Sequence, residues 1–334
     1  KGYTCLALAA VGGHGDVVGL LARKDQSLLL IRDREGKTPF DLCAEFGTST
    51  GHWSAAEKLL QVDASLLHAK PEEPKKVEAK EDDAPKAKPK LAGFAAMAGA
   101  KSGAAKAEAP KGPTKSALHW AAFHGQAAGV DMILKLDHDM VKTLDKDGNT
   151  PLHLAAKGGH TTIVAKLLDV YGGPGDANGE GDTLLHCACA GGHVDVVQIL
   201  AGKYPELLSI NNFKGQSCLV KATIMPDTAG KGEALKRANK AAVAVCKVLL
   251  QVAPILLTQP DDKGQTVLHL AASSGKCEDL VFLFAEHGGV ALIKTADNEG
   301  KDCVAVAPPN VEEILNNLIE RHADDIAEAQ KRDV

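Results

Sequence analysis

Thr150-Pro-Leu-His-Leu-Ala-Ala156, followed by Gly159-His160, carries the reading of this 334-residue chain. Thr150 is a good helix N-cap, and Pro151 loses no needed N–H at the first helical position. Leu152, Leu154, Ala155 and Ala156 predict a short helix whose small residues allow close packing. Gly158-Gly159 ends it, because glycine takes the left-handed conformation cheaply. Ile163, Val164, Leu167 and Leu168 then recur at i, i+1, i+4, i+5, the stripe of a second helix. Asp145-Lys-Asp-Gly148 ahead of the stretch is a turn signal.

The same pattern recurs along the chain. Ser116-Ala-Leu-His-Trp-Ala-Ala122, Thr183-Leu-Leu-His-Cys-Ala-Cys189 and Thr266-Val-Leu-His-Leu-Ala-Ala272 are close copies. Weaker ones start at Thr4, Thr38, Ser217 and Asp302. Successive starts at 4, 38, 116, 150, 183, 217, 266 and 302 are mostly 33 or 34 residues apart. The longer steps are periods plus an insertion. Such a period marks a repeat array. Leucine pairs at 28–29, 66–67, 207–208 and 256–257 stand where they would pin a long inter-repeat loop onto the helices.

The pattern resembles the ankyrin repeat, in a long-loop style similar to plant-type ankyrin proteins. The resemblance covers nearly all of the chain except about 70–114. It implies an all-α fold, an ankyrin-repeat solenoid of helix-turn-helix units with short β-hairpin or turn fingers. Each unit buries its apolar face only against its neighbours. Repeats 1–2 are expected in 1–69, repeats 3–7 and the start of an eighth in 115–307, and a capping helix and tail in 308–334. Asn310-Val-Glu-Glu313 reads as the start of that last helix.

The family explains the odd composition. Aromatics are 4% of residues, glycines number 33 and histidines 13. Eight of the histidines fall on two repeat positions. His119, His153, His186 and His269 close a Ser/Thr-x-x-His tetrad, whose family role is structural hydrogen bonding within and between repeats. His14, His52, His160 and His193 follow a helix-ending glycine. His186, Cys187 and Cys189 look like a metal cluster on paper, but adjacent helical positions point apart. No CxxC pair, phosphate loop or catalytic triad is present, so the chain reads as non-catalytic, with no cofactor and no metal. A net charge of −5 argues against a generic nucleic-acid binder, and no apolar run reaches a membrane span. The eight scattered cysteines suit reduced thiols in an intracellular, cytoplasmic protein, with an organelle or cilium left open.

Two insertions interrupt the array. Residues 70–114 are rich in Lys, Ala, Pro and Glu and read as a disordered linker. Within it Leu91, Phe94 and Met97 share one helical face, like a docking segment for a partner or for the solenoid itself. The second insertion, 224–240, separates the two helices of repeat six, and Ala234–Leu250 reads as one lengthened helix.

Ankyrin arrays generally bind proteins on the concave face, made by first helices and fingers. The resemblance places Val11, Glu45, Phe123, Lys157, Ala190, Ile224 and Ser273 there, each seven residues after a repeat start. Arg34, Lys146, Asp147, Phe213, Lys214, Asp262, Lys263 and Asn298 fall at finger tips. Phe123 and Phe213 are the expected anchors. The function expected is a scaffold, adaptor or complex subunit. The alternatives are a regulatory region of a larger enzyme or channel with sequence upstream of Lys1, or a cytoskeletal or membrane-surface adaptor using the Lys-rich linker.

Overall fold

The computed structural model describes residues 2–34, 36–47, 50–68, 116–224 and 232–332, with the side chains of 50, 68 and 322–332 outside that description. The linker at 70–114 and its segment Leu91, Phe94 and Met97 lie outside the described residues. Helix pairs follow one another: α1 (Cys5–Val11) and α2 (Gly15–Lys24), α3 (Pro39–Glu45) and α4 (Thr50–Val62), α5 (Ala117–Phe123) and α6 (Ala127–Leu136). Then come α7 (Pro151–Gly158) and α8 (Thr161–Tyr171), α9 (Leu184–Gly191) and α10 (Val194–Lys203), α11 (Cys218–Thr223) and α12 (Glu233–Val252). The array ends with α13 (Val267–Ser274), α14 (Glu278–Ile293) and α15 (Pro309–Arg332).

First helices pack on first helices and second on second, so one apolar core runs unbroken from Leu6 to Leu318. The stack continues from the second repeat to the third, with α3 against α5 and α4 against α6. At that seam Gly129 of α6 makes room for the indole of Trp53. A Cβ at position 129 would lie 2.7 Å from the ring. The leucine pairs sit in short 3-10 turns and pin the loops, with Leu29, Leu66, Leu207 and Leu256 all buried.

No strand occurs among the described residues, so the fingers are turns. An Asx side chain holds each one. Asp145 Oδ1 accepts from the amides of Asp147 and Asn149, and Asn178, Asn212, Asp261 and Asp297 repeat the arrangement. Neighbouring fingers join through single backbone bonds: Gly179 to Asp147, Phe213 to Glu180 and Asn298 to Lys263.

The eighth copy departs from expectation. Asp302–Ala307 forms turns and no α-helix, because Pro308 and Pro309 stop so short a β-branched stretch. Asn310 is not the N-cap of α15, since Pro309 already opens that helix. Its amide donates instead to Glu278 at 2.9 Å. Val311, Leu315 and Leu318 are buried and close the array's end against α14.

The tetrad histidines bridge repeats. The amide of Ser116 donates to His119 Nδ1, and the Ser116 hydroxyl lies 2.7 Å from the same nitrogen. An amide can only donate, so Nδ1 accepts and Nε2 carries the proton. That Nε2–H reaches the carbonyl of Asn149 in the next repeat at 2.8 Å. His186 and His269 do the same toward Gln216 and Lys301, at 3.0 and 3.2 Å. In repeat two, Asp41 takes the histidine's place in a capping box with Thr38. His153 is the exception: its Nε2 is buried and has no hydrogen-bond partner. Burial pulls its pKa down to about 4, and the nearby Asp182 carbonyl opposes the shift without bonding geometry.

Two outcomes follow from this packing. Gly129→Val should destabilise the fold by about 1–3 kcal/mol through overpacking against Trp53. Urea melts would show it, and Trp53→Leu in the same chain should recover part of the loss; equal stability of wild type and Gly129→Val would contradict the seam. The second outcome concerns acid. Above the ordinary histidine pKa of about 6.5, both folded and unfolded His153 are neutral. Between about 6.5 and about 4 the unfolded chain binds a proton that native His153 refuses, so stability falls as pH falls, by about 3 kcal/mol for this residue. Burial lowers His186 in the same direction. Denaturant midpoints should drop between pH 7 and pH 4.5, and His153→Gln should have a shallower slope than wild type.

Candidate functional site

Residues seven positions after each repeat start lie at the ends of the stacked first helices, so equivalence alone lines them up as a column. Val11, Glu45, Phe123 and Ala190 are half-buried in it, while Lys157 and Ser273 are exposed. Ile224 departs. It follows α11 in an extended conformation (φ −79°, ψ 91°), so it leaves the helical line while its side chain stays open. Glu45 is ion-paired with Lys37 at 2.7 Å and offers less free charge than its sequence position suggests.

The backbone of this column is held from behind. His52 Nε2 donates to the carbonyl of Val11, His160 to that of Phe123 and His193 to that of Lys157, each at 2.9 Å. These are three of the nominated face residues. The next repeat therefore clamps the main chain at these three positions. Desolvation lowers the pKa of His193, and its bond to Lys157 acts against that.

The sequence reading missed Trp120 and His124. Trp120 stands four residues after Ser116, on the same side of α5 as Phe123. Its ring stacks on His124 with centroids 5.5 Å apart and planes 6° apart, and Phe123 meets His124 edge-on at 5.3 Å. Three rings thus form one aromatic group at repeat three. The equivalent position is buried as Leu42, Leu154 and Cys187 but 57% exposed as Leu8, so its repeat pattern alone did not mark Trp120 as a surface residue.

At the finger tips Arg34, Lys146, Asp147, Lys214, Asp262, Lys263 and Asn298 are all exposed. Phe213 is 76% exposed and leans on the preceding finger at Gly181. Lys214 and Lys221 both reach Glu180, and Lys221 pairs with Asp182 at 2.8 Å. Among the described finger residues both signs of charge are present.

Burial favours the protonated thiol at several cysteines. Burial pushes Cys43 and Cys187 up to about 12, where almost no thiolate exists at neutral pH. His186 is committed to Thr183 and Gln216. Among the described residues, no group of three His, Cys, Asp or Glu converges where a metal could sit. Among the same residues no helix is long and apolar enough to cross a membrane.

Comparison with known proteins agrees with this architecture. Residues 118–212 match the family model for ankyrin repeats (3 copies). A 52-residue stretch is 48% identical to the ARF GTPase-activating protein Git of Drosophila melanogaster, covering 16% of this chain. The match spans 7% of that protein's length. With helix pairs, Asx-held fingers and bridging histidines repeated along one core, the chain carries ankyrin repeats and resembles the ankyrin-repeat family, whose repeats are protein–protein interaction modules and generally non-catalytic.

Proposed function

We propose that this chain is a non-catalytic scaffold or adaptor, or a subunit of a larger complex, that binds protein partners on the face formed by its first helices and fingers. The observation that carries this reading is the clamped column. The carbonyls of Val11, Phe123 and Lys157 are fixed by the following repeat, so their side chains meet a partner already in place. Pre-organisation lowers the ordering cost of binding. Aromatic side chains supply most of the energy at protein interfaces, and Trp120, Phe123 and Phe213 are the candidates here. The column around them runs from apolar at Val11 to cationic at Lys157.

The finger tips Arg34, Lys146, Asp147, Lys214, Asp262, Lys263 and Asn298 act as the polar rim in this reading. The buried, high-pKa thiols suit a reducing, intracellular setting. The lengthened helix α12 adds an exposed basic turn at Lys236, Arg237 and Lys240, a contact for an acidic surface.

Affinity capture with the 334-residue chain, followed by mass spectrometry, identifies the partners. Phe123→Ala and Trp120→Ala should each weaken the captured complex about tenfold or more, in line with a buried aromatic anchor. Phe213→Ala should do so to a smaller degree. Thermal melts of the variants exclude unfolding as the cause. Unchanged binding in all three would place the partner surface elsewhere.

A further inference from the structure

The seam between repeats six and seven is built differently from its neighbours. His52, His119, His160, His193, His186 and His269 place hydrogen bonds across the other seams. The exception is the seam between repeats two and three, which is keyed by the Trp53 indole in the notch at Gly129. Between repeats six and seven neither device is present. Val220 stands in the tetrad position, and Lys276 stands where His160 and His193 stand in their repeats. The Ser217 hydroxyl, whose counterparts lie against a histidine Nδ1, is buried without a partner.

The fingers repeat the difference. Gly179, Phe213 and Asn298 each donate a backbone N–H to the finger before. Asp262 holds the same place in its finger and lies against Gly215, yet makes no such bond among the described residues. Apolar packing does cross the seam, and at the inter-helix turns the Asn239 amide donates to the Lys276 carbonyl at 3.0 Å. Burial is non-directional, so it holds the two sides together without fixing the angle between them. Beyond the seam, repeats seven and eight are tied by His269 to the Lys301 carbonyl and by Asn298 to the Lys263 and Asp262 carbonyls.

We propose that this seam is a hinge: α13, α14, the turns of repeat eight and α15 rotate as one body against repeats one to six, held at Asn239 and Lys276 and opening on the finger side. Rotation of packed elements about a held point requires no local unfolding. Phe213–Lys214 and Asp262–Lys263 flank the opening, so the hinge sets the spacing of that part of the finger row.

Buried cysteines report on consecutive seams. Cys218 shares a side-chain hydrogen bond with Cys189 of repeat five, Cys246 lies near Cys277 of repeat seven, and Cys303 contacts Thr266 and the Leu292 carbonyl. Cys218, Cys246 and Cys303 are all 0% exposed. Cys246 stands about two turns along α12 from Asn239, away from the held end. Iodoacetamide alkylates only an exposed thiol, forming an S–C bond as iodide leaves and the thiol proton passes to buffer. At low reagent, where opening and closing outrun alkylation, the rates read the opening equilibria. In the folded 334-residue chain Cys246 should react about tenfold faster or more than Cys218 and Cys303. Val220→His supplies the missing tetrad, with the Ser217 hydroxyl for Nδ1 and the Gln265 carbonyl for Nε2, and should slow Cys246 about tenfold, toward the rate of Cys218. The rates in the unmodified chain decide the question even if that variant does not fold. Cys246 reacting no faster than Cys218 overturns the hinge. So does Cys303 keeping pace with Cys246, which would mean that the trailing repeats unfold, and so does a folded Val220→His chain in which Cys246 stays fast. No partner enters the experiment, so its outcome is separate from that of the binding assays.

Discussion

Everything in this molecule depends on one constraint: a single helix pair cannot cover its own apolar face. Two short helices expose a flat surface of Leu, Val and Ala, and only the next pair removes it from water. Each fully buried aliphatic side chain contributes about 1.5–3 kcal/mol relative to exposure. The gain appears only where pairs touch, so stability is a sum over neighbouring interfaces. The continuous core from Leu6 to Leu318 is that sum in structural form. It also accounts for the scarcity of aromatics, since a layer two side chains deep has little room for rings. Where the Trp53 indole enters between repeats two and three, the residue facing it is Gly129.

The histidines orient this stacking, and the hydrophobic effect by itself does not. Burial is non-directional and would tolerate some sliding between pairs. Nε2–H bonds to carbonyls of the neighbouring repeat do not. One column links a helix start to the next finger through His119, His186 and His269. The other links an inter-helix turn to the preceding first helix through His52, His160 and His193. Repeat six lacks both. Val220 stands in the tetrad position, and the Ser217 hydroxyl is buried without a partner. An orphaned hydroxyl costs about 1–3 kcal/mol. The same repeat carries the Lys221–Asp182 ion pair and a bond from Asn239 to the Lys276 carbonyl, while Asn239 Oδ1 is itself buried without a partner. The lengthened helix α12 belongs to the same repeat, so the array's least regular packing coincides with its largest described addition.

Much of this was legible in the sequence because the repeat states each instruction several times. The Thr-Pro-Leu-His string predicts a capped helix, and α7 has Thr150 as its N-cap with His153 in a capping box. The leucine pairs and the lengthened helix of repeat six also appear where the periodicity placed them. What was not legible required knowledge of a neighbour. The notch at Gly129 depends on a tryptophan 76 positions earlier. The sequence of repeat four, the closest to consensus, does not reveal that His153 Nε2 is left without a partner. Trp120 was passed over because it sits inside a consensus string, where it reads as core. The eighth copy is weak in the sequence, and its run of six residues ahead of Pro308-Pro309 forms turns.

The column of face residues shows why such an architecture suits recognition. In most proteins a surface side chain is only as well placed as the loop that carries it. Here Val11, Phe123 and Lys157 sit at helix ends, and their carbonyls are bonded by a histidine of the next repeat. At these three positions the structural bond uses the carbonyl and not the side chain, which the proposed function assigns to recognition. Val11, Phe123 and Lys157 differ in size, polarity and charge, yet their carbonyls meet His52, His160 and His193 at the same 2.9 Å. Identity at these positions can vary without changing the spacing of the array. On the proposed reading, such a surface would acquire specificity by substitution at these positions.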